Sequence, residues 1–295
     1  MVNALTREDK IVTAAVYVTL SVIFLIVAYP LYFVVIASVS DPFLVSTGRI
    51  WAIPRGLTLE GYERIFTHEE ILTGYRNSIM YAVVGTSVNL AVTLTAAYAL
   101  SRPDLVGRNA ITFVFAFTMF FSGGIIPLFL LVRGLGLYNT FWAMIFPTAL
   151  SVWNMIIART FFQSTIPKEL LDSAKVDGCT DFRFFWSIVL PLSTAIIAVL
   201  LIFYAVAHWN AFFNALIFLR SRSRFPLQLV LRDILIQNQF TDEMMMDDES
   251  AEAQAIVAES IKYGVIIVAS VPVMILYPFV QKHYVRGIMI GAIKG

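Results

Sequence analysis

A segment of charged, small and turn-forming residues lies between two long apolar stretches of the chain. Asp172-Ser173-Ala174 is followed by Gly178 and then, after nine further residues, by Ile188 and Leu190-Pro191. Small side chains permit close approach of another surface, and glycine permits a sharp backbone turn. These residue types and their spacing therefore predict an element that docks onto a partner protein.

Two short helices that meet at a bend are expected to form this docking element, which spans 164–186. Ser164 or Thr165 is expected to cap the first helix, and Pro167 suits its first turn. Asp181 is expected to cap the second helix, which continues into the next apolar stretch. The glycine of the motif ends the first helix, and its alanine is expected to lie on a small, apolar docking side.

The composition places most of the chain in lipid. Hydrophobic residues make up 59% of the sequence, charged residues make up 14%, and the mean hydropathy is +0.78. A helix needs about 20 mostly apolar residues to cross the hydrocarbon layer. The stretches that meet this requirement lie at about 11–38, 76–100, 111–133, 140–162, 187–218 and 261–282. The sequence thus predicts an all-α polytopic membrane protein, a single transmembrane domain over 1–295 with six transmembrane helices and with outer segments at 39–75 and 219–260.

The first apolar stretch is expected to stay in the protein, because a cleavable signal peptide has an apolar core of only roughly 7–15 residues. This stretch is longer, and it contains Pro30. Cys179 is the only cysteine of the sequence, so an internal disulfide and a thiolate metal cluster are both excluded. No metal site is expected.

Local sequence also predicts where two segments change direction or begin. Ser122-Gly123-Gly124 and Pro127 are expected to bend or break the third apolar stretch. Pro226 is expected to begin a helix in the second outer segment. The acidic, Met-rich run Thr241–Glu252 that follows is interpreted either as a mobile cover or partner contact, or as a plain solvated loop.

The spacing of the docking element resembles the EAA loop in permease subunits of bacterial binding-protein-dependent ABC importers. In that family Glu-Ala-Ala, three residues, Gly, nine residues, Ile, one residue and Leu-Pro recur, and this chain differs only by Asp172 for Glu and Ser173 for the first Ala. The resemblance implies a cytoplasmic coupling-helix loop that lies in a cleft of an ATPase subunit. The residues to which it gives a coupling role are Glu169, Asp172, Ser173, Ala174, Asp177 and Gly178.

Further segments resemble the carbohydrate branch of these importers, and more narrowly the group that imports oligosaccharides of complex polysaccharides such as plant-wall fragments and alginate. These segments are Ile166-Pro167-Lys168-Glu169-Leu170, Asn139-Thr140, Arg159-Thr160-Phe161-Phe162 and Val285-Arg286-Gly287. The resemblance implies a second homologous permease subunit in a heterodimer, two ATPase subunits, an extracytoplasmic solute-binding protein and membrane lipid as partners. No nucleic-acid partner is expected.

The resemblance also implies a place in the bacterial cytoplasmic (inner) membrane, with both the N- and the C-terminus in the cytoplasm. The lysine and arginine residues divide almost evenly between the two sides, so the positive-inside rule does not decide the orientation.

The sequence contains no Gly-x-x-x-x-Gly-Lys-Ser/Thr cradle for phosphates, so this chain is not expected to be the ATPase. No cofactor is expected on the chain, and ATP and Mg²⁺ are assigned to the partner ATPase. A secondary carrier is disfavoured because no Asp or Glu lies in the middle of a predicted span. An intramembrane serine protease using Ser122 and His208 is a further alternative, disfavoured because the Gly-x-Ser-x-Gly elbow is missing.

A predicted helix face in the fifth apolar stretch combines amides with an aromatic ring. Asn210, Phe213 and Asn214 share this face because positions i, i+3 and i+4 are neighbours on a helix. Amides suit sugar hydroxyls, and aromatic rings suit the apolar faces of pyranose rings. Helix packing is the alternative interpretation, and His208 is interpreted as a packing residue. The other candidates for the substrate path are Asn89, Trp153, Asn154 and Trp209.

Three arginines follow the fifth stretch, at Arg220, Arg222 and Arg224. They could attract an acidic glycan such as an alginate fragment. An ordinary solvated cluster at the membrane edge is the alternative.

Overall fold

Helices form every regular element of the described protein. The computed structural model describes residues 6–244 and 261–278. Three sequence predictions concern the remainder and lie outside the described residues: the end of the sixth apolar stretch, the Val285-Arg286-Gly287 match and residues 245–252 of the acidic, Met-rich run.

The helices range in length from 3 residues in α10 to 33 residues in α4. In chain order they are α1 Arg7–Ser38, α2 Pro42–Ser46, α3 Glu60–Thr67, α4 Glu69–Ser101, α5 Arg108–Phe120, α6 Ile125–Gly134, α7 Val152–Thr165, α8 Lys168–Val176, α9 Asp181–Phe184, α10 Leu190–Leu192, α11 Thr194–Trp209, α12 Phe212–Phe218 and α13 Leu227–Met244, and then the helix Ile261–Pro278. Helix α13 confirms that Pro226 precedes a helix in the second outer segment.

Three of the described helices are long and apolar enough to cross a membrane: α1, α4 and Ile261–Pro278. Three bent pairs also qualify, namely α5 with α6, the 3₁₀ turns of Phe141–Thr148 with α7, and Asp181–Leu192 with α11. The described residues thus supply three spans, or six if each bent pair crosses once. The predicted class of all-α polytopic membrane protein is confirmed.

The third apolar stretch breaks where the sequence predicted. Helix α5 ends at Phe120, α6 begins at Ile125, and their axes differ by 116°. Gly124 has φ +82°, a backbone conformation that side chains with a Cβ rarely adopt. Pro127 lies in the first turn of α6, where its missing N–H has no helical partner to lose.

The fifth apolar stretch is not the single helix that the sequence predicted. The chain bends by 82° at Ser193, and α11 then ends at Trp209 before α12 begins at Phe212. Pro191 explains the first break, because it removes a backbone donor and crowds the preceding turn, which widens into a π-helical turn over Phe185–Val189. At the second break the Asn210 side-chain amide and the Asn210 backbone N–H both donate to the Val206 carbonyl oxygen, at 2.9 and 3.1 Å, so the last turn of α11 stays closed.

The fourth apolar stretch also departs from a single helix. Two 3₁₀ turns precede α7, which begins only at Val152 with the Ser151 hydroxyl as its N-cap. Pro147 lies inside the second turn, where it interrupts regular hydrogen bonding.

The chain divides into two units, of which the first comprises Met1–His68 and Ile234–Ser270. In its described part, α1 is exposed over most of its apolar length, and burial begins only at Ile36. There the Tyr62 hydroxyl donates to Ser38 Oγ at 2.8 Å, and the Phe33 ring packs edge-on against Tyr263. An exposed apolar helix is what lipid as the solvent permits.

The second unit, Glu69–Asp233 and Val271–Gly295, has its core where α4 packs on α7 and α11. Small residues permit the close approach of these helices: Ala97 and Ala158 are fully buried. The largest buried side chains of this cluster are Met155, Phe162, Phe184, Phe185, Leu200 and Tyr204.

Gly85 on α4 has no side chain, and this permits close contact with His208 on α11. An added methyl group at this position is therefore predicted to destabilise the protein. A Cβ at Gly85 would overlap three atoms of the His208 ring. We expect Gly85→Ala to destabilise the protein by about 1–3 kcal/mol, as overpacking does, and thermal unfolding of the purified protein measures the loss. Gly134→Ala is the matched control, because a Cβ there meets nothing within 4 Å. Equal unfolding temperatures for the two variants would contradict this packing.

Candidate functional site

A cavity of about 470 Å³ opens in the second unit between α4, α7, α11, α12 and the turn before α7. Five of the predicted path residues line it: Asn89, Asn154, Asn210, Phe213 and Asn214. The last three were assigned to one continuous helix face, and that premise is wrong because α11 ends before them. The break between α11 and α12 nevertheless keeps them on the same cavity wall.

Asn89 is fully buried, and both ends of its amide bond to protein. Its Oδ1 lies 2.7 Å from Nε2 of His208, and its Nδ2 donates to the carbonyl oxygen of Thr148. Since an amide oxygen can only accept, His208 carries its proton on Nε2. Asn89 therefore ties α4 to α11 and to the turn before α7, and His208 is the satisfied packing residue that the sequence predicted.

A second polar tie lies one helical turn away. The Tyr204 hydroxyl is 2.6 Å from Oγ1 of Thr93 and accepts a hydrogen bond from the backbone N–H of Ser151. Sequence reasoning did not assign a role to Tyr204. Its spacing of four residues from His208 places both on the α11 face that meets the polar side of α4, and that spacing could have identified it.

The remaining amides on the cavity wall are less committed. The Asn154 and Asn214 side chains make no hydrogen bond within the described residues, and Asn210 uses one donor for the Val206 carbonyl. Phe203 and Phe213 add half-exposed rings to the same wall. No lysine or arginine lines the cavity among the described residues. The wall thus presents amide donors and acceptors beside aromatic surface.

Two predicted path residues lie elsewhere. Trp153 is exposed and does not line the amide cavity. Trp209 is buried, packs edge-on against Tyr75 at 5.5 Å, and borders a separate apolar cavity of about 420 Å³. The structure therefore gives Trp209 a packing environment rather than a place among the free amides.

The docking segment has the two short helices that its sequence predicted. Helix α8 ends at Val176, Gly178 follows with φ +71°, and α9 begins at Asp181. The expected caps are corrected: α7 runs through Ser164 and Thr165, so Pro167 occupies the N-cap position of α8. The Thr180 hydroxyl, one residue before Asp181, caps α9 by accepting from the Arg183 N–H.

The prediction that Ala174 lies on a docking side is also wrong, because Ala174 is buried and packs into the core of its own unit. The small residue thus seats α8 on the protein and is not an exposed docking face. Val176, between Lys175 and Asp177, is 87% exposed and presents an apolar side chain on the surface of this segment. The predicted coupling residues on the exposed side of this segment are Glu169, Asp172, Ser173, Asp177 and Gly178.

The three arginines after the fifth stretch are largely engaged. Arg222 pairs with Glu70 at 2.9 Å, and the Arg224 guanidinium donates to the carbonyl oxygen of Asn139. The Asn139 side chain holds this segment by accepting from the backbone N–H groups of Arg220 and Ser221. These contacts favour the interpretation of a structural cluster.

Residues 89–290 match the family described as binding-protein-dependent transport system inner membrane component. The polygalacturonan/rhamnogalacturonan transport system permease protein YtcP of Bacillus subtilis (strain 168) is 38% identical over 98% of this chain and 100% of its own length. Protein LplC of the same organism is 38% identical over 90% of this chain and 89% of its own length.

A solved structure agrees with this match. The crystal structure of a bacterial ABC transporter involved in the import of the acidic polysaccharide alginate contains a chain with a TM-score of 0.86 and 29% identity, over 95% of this chain and 99% of that one. Since the family match covers more than half of the chain, this protein belongs to the family of binding-protein-dependent transport system inner membrane components.

Proposed function

We propose that this chain is a permease subunit of an ATP-driven ABC importer for oligosaccharides and forms half of its translocation path. The observation that carries this proposal is the amide cavity, where Asn154, Asn210 and Asn214 lie beside the Phe203 and Phe213 rings. Such a wall can hydrogen-bond sugar hydroxyls and cover apolar ring faces. A relative that transports polygalacturonan and rhamnogalacturonan, and a structurally similar transporter involved in alginate import, support a glycan substrate.

The transported oligosaccharide can be either acidic or neutral. The relatives' names favour an acidic oligosaccharide. The described cavity wall has no lysine or arginine, and two of the three nearby arginines are engaged within the protein. In this cavity a uronate carboxylate would therefore accept hydrogen bonds from amides and would not pair with a lysine or arginine. Uptake of neutral and of acidic oligosaccharides distinguishes the two cases.

The proposed complex contains a second, homologous permease subunit, two ATPase subunits and an extracytoplasmic solute-binding protein. ATP and Mg²⁺ are bound by the ATPases. The chain lies in the bacterial cytoplasmic (inner) membrane, with lipid around α1 and with both termini in the cytoplasm. A bacterial alginate ABC transporter has been solved in complex with a periplasmic protein that binds alginate pentasaccharide, which supports this assembly. One of its chains has the same fold as this protein, with a TM-score of 0.54 and 16% identity.

The exposed side of α8 is the proposed contact with the ATPase, through Glu169, Asp172, Ser173, Asp177 and the apolar side chain of Val176. When the ATPases bind ATP and come together, they move α8. Because Ala174 packs α8 into the core, α7 and the π-helical turn move with it. The cavity then opens to the outside, receives the sugar from the binding protein, and returns when ATP is hydrolysed.

The amide cavity predicts a defect in substrate affinity. We expect Asn210→Leu with Asn214→Leu to raise the KM for oligosaccharide uptake by about 10-fold, because two neutral hydrogen bonds are lost. Uptake into proteoliposomes holding the complete complex is measured with neutral and acidic oligosaccharides. Asn109→Leu, at an exposed position of α5, is the control. An unchanged KM for every sugar would return both amides to helix packing.

A charged substitution at Val176 is predicted to impair the coupling between ATP hydrolysis and uptake. We expect Val176→Asp to lower uptake and substrate-stimulated ATP hydrolysis by about 10-fold, because a charge replaces an apolar contact in the ATPase cleft. The protein should still insert and accumulate normally, since this side chain is 87% exposed. Val106→Asp, at a loop valine that is 92% exposed, is the matched control. Similar activity in the two variants would exclude α8 as the contact.

The proposed orientation predicts one-sided labelling. In a Cys179→Ser background, Val106→Cys, in the loop that contacts the docking segment through Asp104 and Lys175, should react with a membrane-impermeant maleimide only in inside-out vesicles. Leu57→Cys, in the first outer segment and 77% exposed, should react only in right-side-out vesicles. The reverse pattern would place the docking segment outside the cell and would exclude the proposed orientation.

A further inference from the structure

Arg102 follows directly after α4 and holds a polar cluster at that end of the helix. Its guanidinium donates to both carboxylate oxygens of Asp104, at 2.8 and 2.6 Å. One of its nitrogens also donates to Asp181 at 2.9 Å and to the Tyr98 hydroxyl at 3.0 Å. Three separate chain segments, the end of α4, the loop after it and the start of α9, therefore share one arginine.

Helix α8 joins the same cluster. Nζ of Lys175, in the last turn of α8, lies 3.8 Å from Asp104. Asp104 thus connects α8 to Arg102, while Asp181 connects α9 to Arg102 on the other side of the Gly178 bend. We call the group Arg102, Asp104, Lys175 and Asp181 the arginine clamp.

The arginine is the shielded member of this clamp. Its side chain is only 12% exposed, whereas the side chains of Asp104 and Asp181 are 52% and 70% exposed. Isolated surface ion pairs contribute little, but a planar guanidinium that binds a carboxylate through two nitrogens is oriented as well as attracted. Its hydrogen bond lowers the pKa of Asp104 to about 2, so the pair stays ionised at any physiological pH.

Aromatic packing fixes the base of the clamp. The Tyr98 ring lies under the guanidinium and packs against Phe185 and Phe162, with ring centroids 5.0 and 6.2 Å away. Arg159 of α7 donates from Nε to the Leu100 carbonyl oxygen at 3.0 Å. The end of α4 is therefore held on α7 and on the π-helical turn as well as on α8 and α9.

The other end of this connection is the amide cavity. Helix α4 runs without a break from Glu69 to Ser101. Asn89 is 13 residues before Arg102, which corresponds to roughly 20 Å along a helix. Asn89 and Thr93 bond to His208 and Tyr204, so a displacement of α4 acts directly on two residues of the cavity wall.

We propose that Arg102 is a positioning residue that couples the α8–α9 segment to the cavity through α4. The proposal rests on the proposed function, because it assumes that α8 receives the movement of an ATPase. Seating of α8 by Ala174 alone would move α7 and the π-helical turn. The arginine clamp adds α4, the helix that carries the fixed amide of Asn89.

Variants of the arginine clamp test this role in the complete transporter reconstituted in proteoliposomes. Arg102→Lys keeps the charge but loses the planar two-nitrogen geometry. Asp181→Asn removes one exposed carboxylate charge and leaves the fold intact. We expect each variant to lower the amount of sugar transported per ATP hydrolysed by about fivefold, the effect of one weakened charged hydrogen bond. Basal ATP hydrolysis and protein abundance should stay at wild-type values.

The double variant Arg102→Lys with Asp181→Asn should lower the ratio by less than the product of the two single effects, since both substitutions weaken the same connection between the α8–α9 segment and α4. Arg64→Lys, which changes the exposed pair with Glu60, is the matched control and should keep the wild-type ratio. A wild-type ratio in both clamp variants would overturn the proposal, as would a parallel fall of abundance, basal hydrolysis and uptake. A wild-type complex without ATP-driven uptake would instead refute the proposed function itself.

Discussion

The need to satisfy backbone polar groups inside lipid governs how the second unit is built. Each unmade backbone hydrogen bond is costly in hydrocarbon, so a helix can break only where protein or water replaces the lost partner. The breaks before α7 and after α11 meet this condition beside α4. Before α7, Asn89 donates to the Thr148 carbonyl oxygen and the Tyr204 hydroxyl accepts from the Ser151 N–H. After α11, the Asn210 side chain adds a second donor to the Val206 carbonyl oxygen, and the Ala211 N–H donates to the His208 carbonyl oxygen. The unbroken helix α4 thus supports the broken helices around it.

The cavity is a consequence of the same constraint. A continuous helix would fill the space with side chains at regular spacing, whereas a break turns the chain and leaves room beside it. The amide cavity lies between the breaks at 149–151 and 210–211, and its lining residues come from both. A transport path needs polar groups in the middle of the membrane, and breaks supply them without placing a charge there.

The features that depend on local residue type could be predicted from the sequence. Gly178 with its left-handed φ, the break at Gly124 and the helix start after Pro226 follow from what glycine and proline permit. The break after Trp209 could not be predicted in this way, because neither glycine nor proline lies between Trp209 and Phe212. The burial of Ala174 and the packing of Trp209 depend on which neighbours surround each helix, and a single sequence does not state this.

Asparagines that look equivalent in the sequence differ in the structure by the number of hydrogen bonds that their side chains make to the protein. Asn89 uses its oxygen for His208 and a donor for Thr148, so it cannot serve a ligand without leaving a buried partner unpaired. Asn154 and Asn214 make no such bond within the described protein, so their amides have no internal partner to lose. The arginines can be distinguished in the same way. Arg102 pairs with the carboxylates of Asp104 and Asp181, and these pairs hold three chain segments together. Residues of one type thus divide into those that hold helices in place and those available to a ligand.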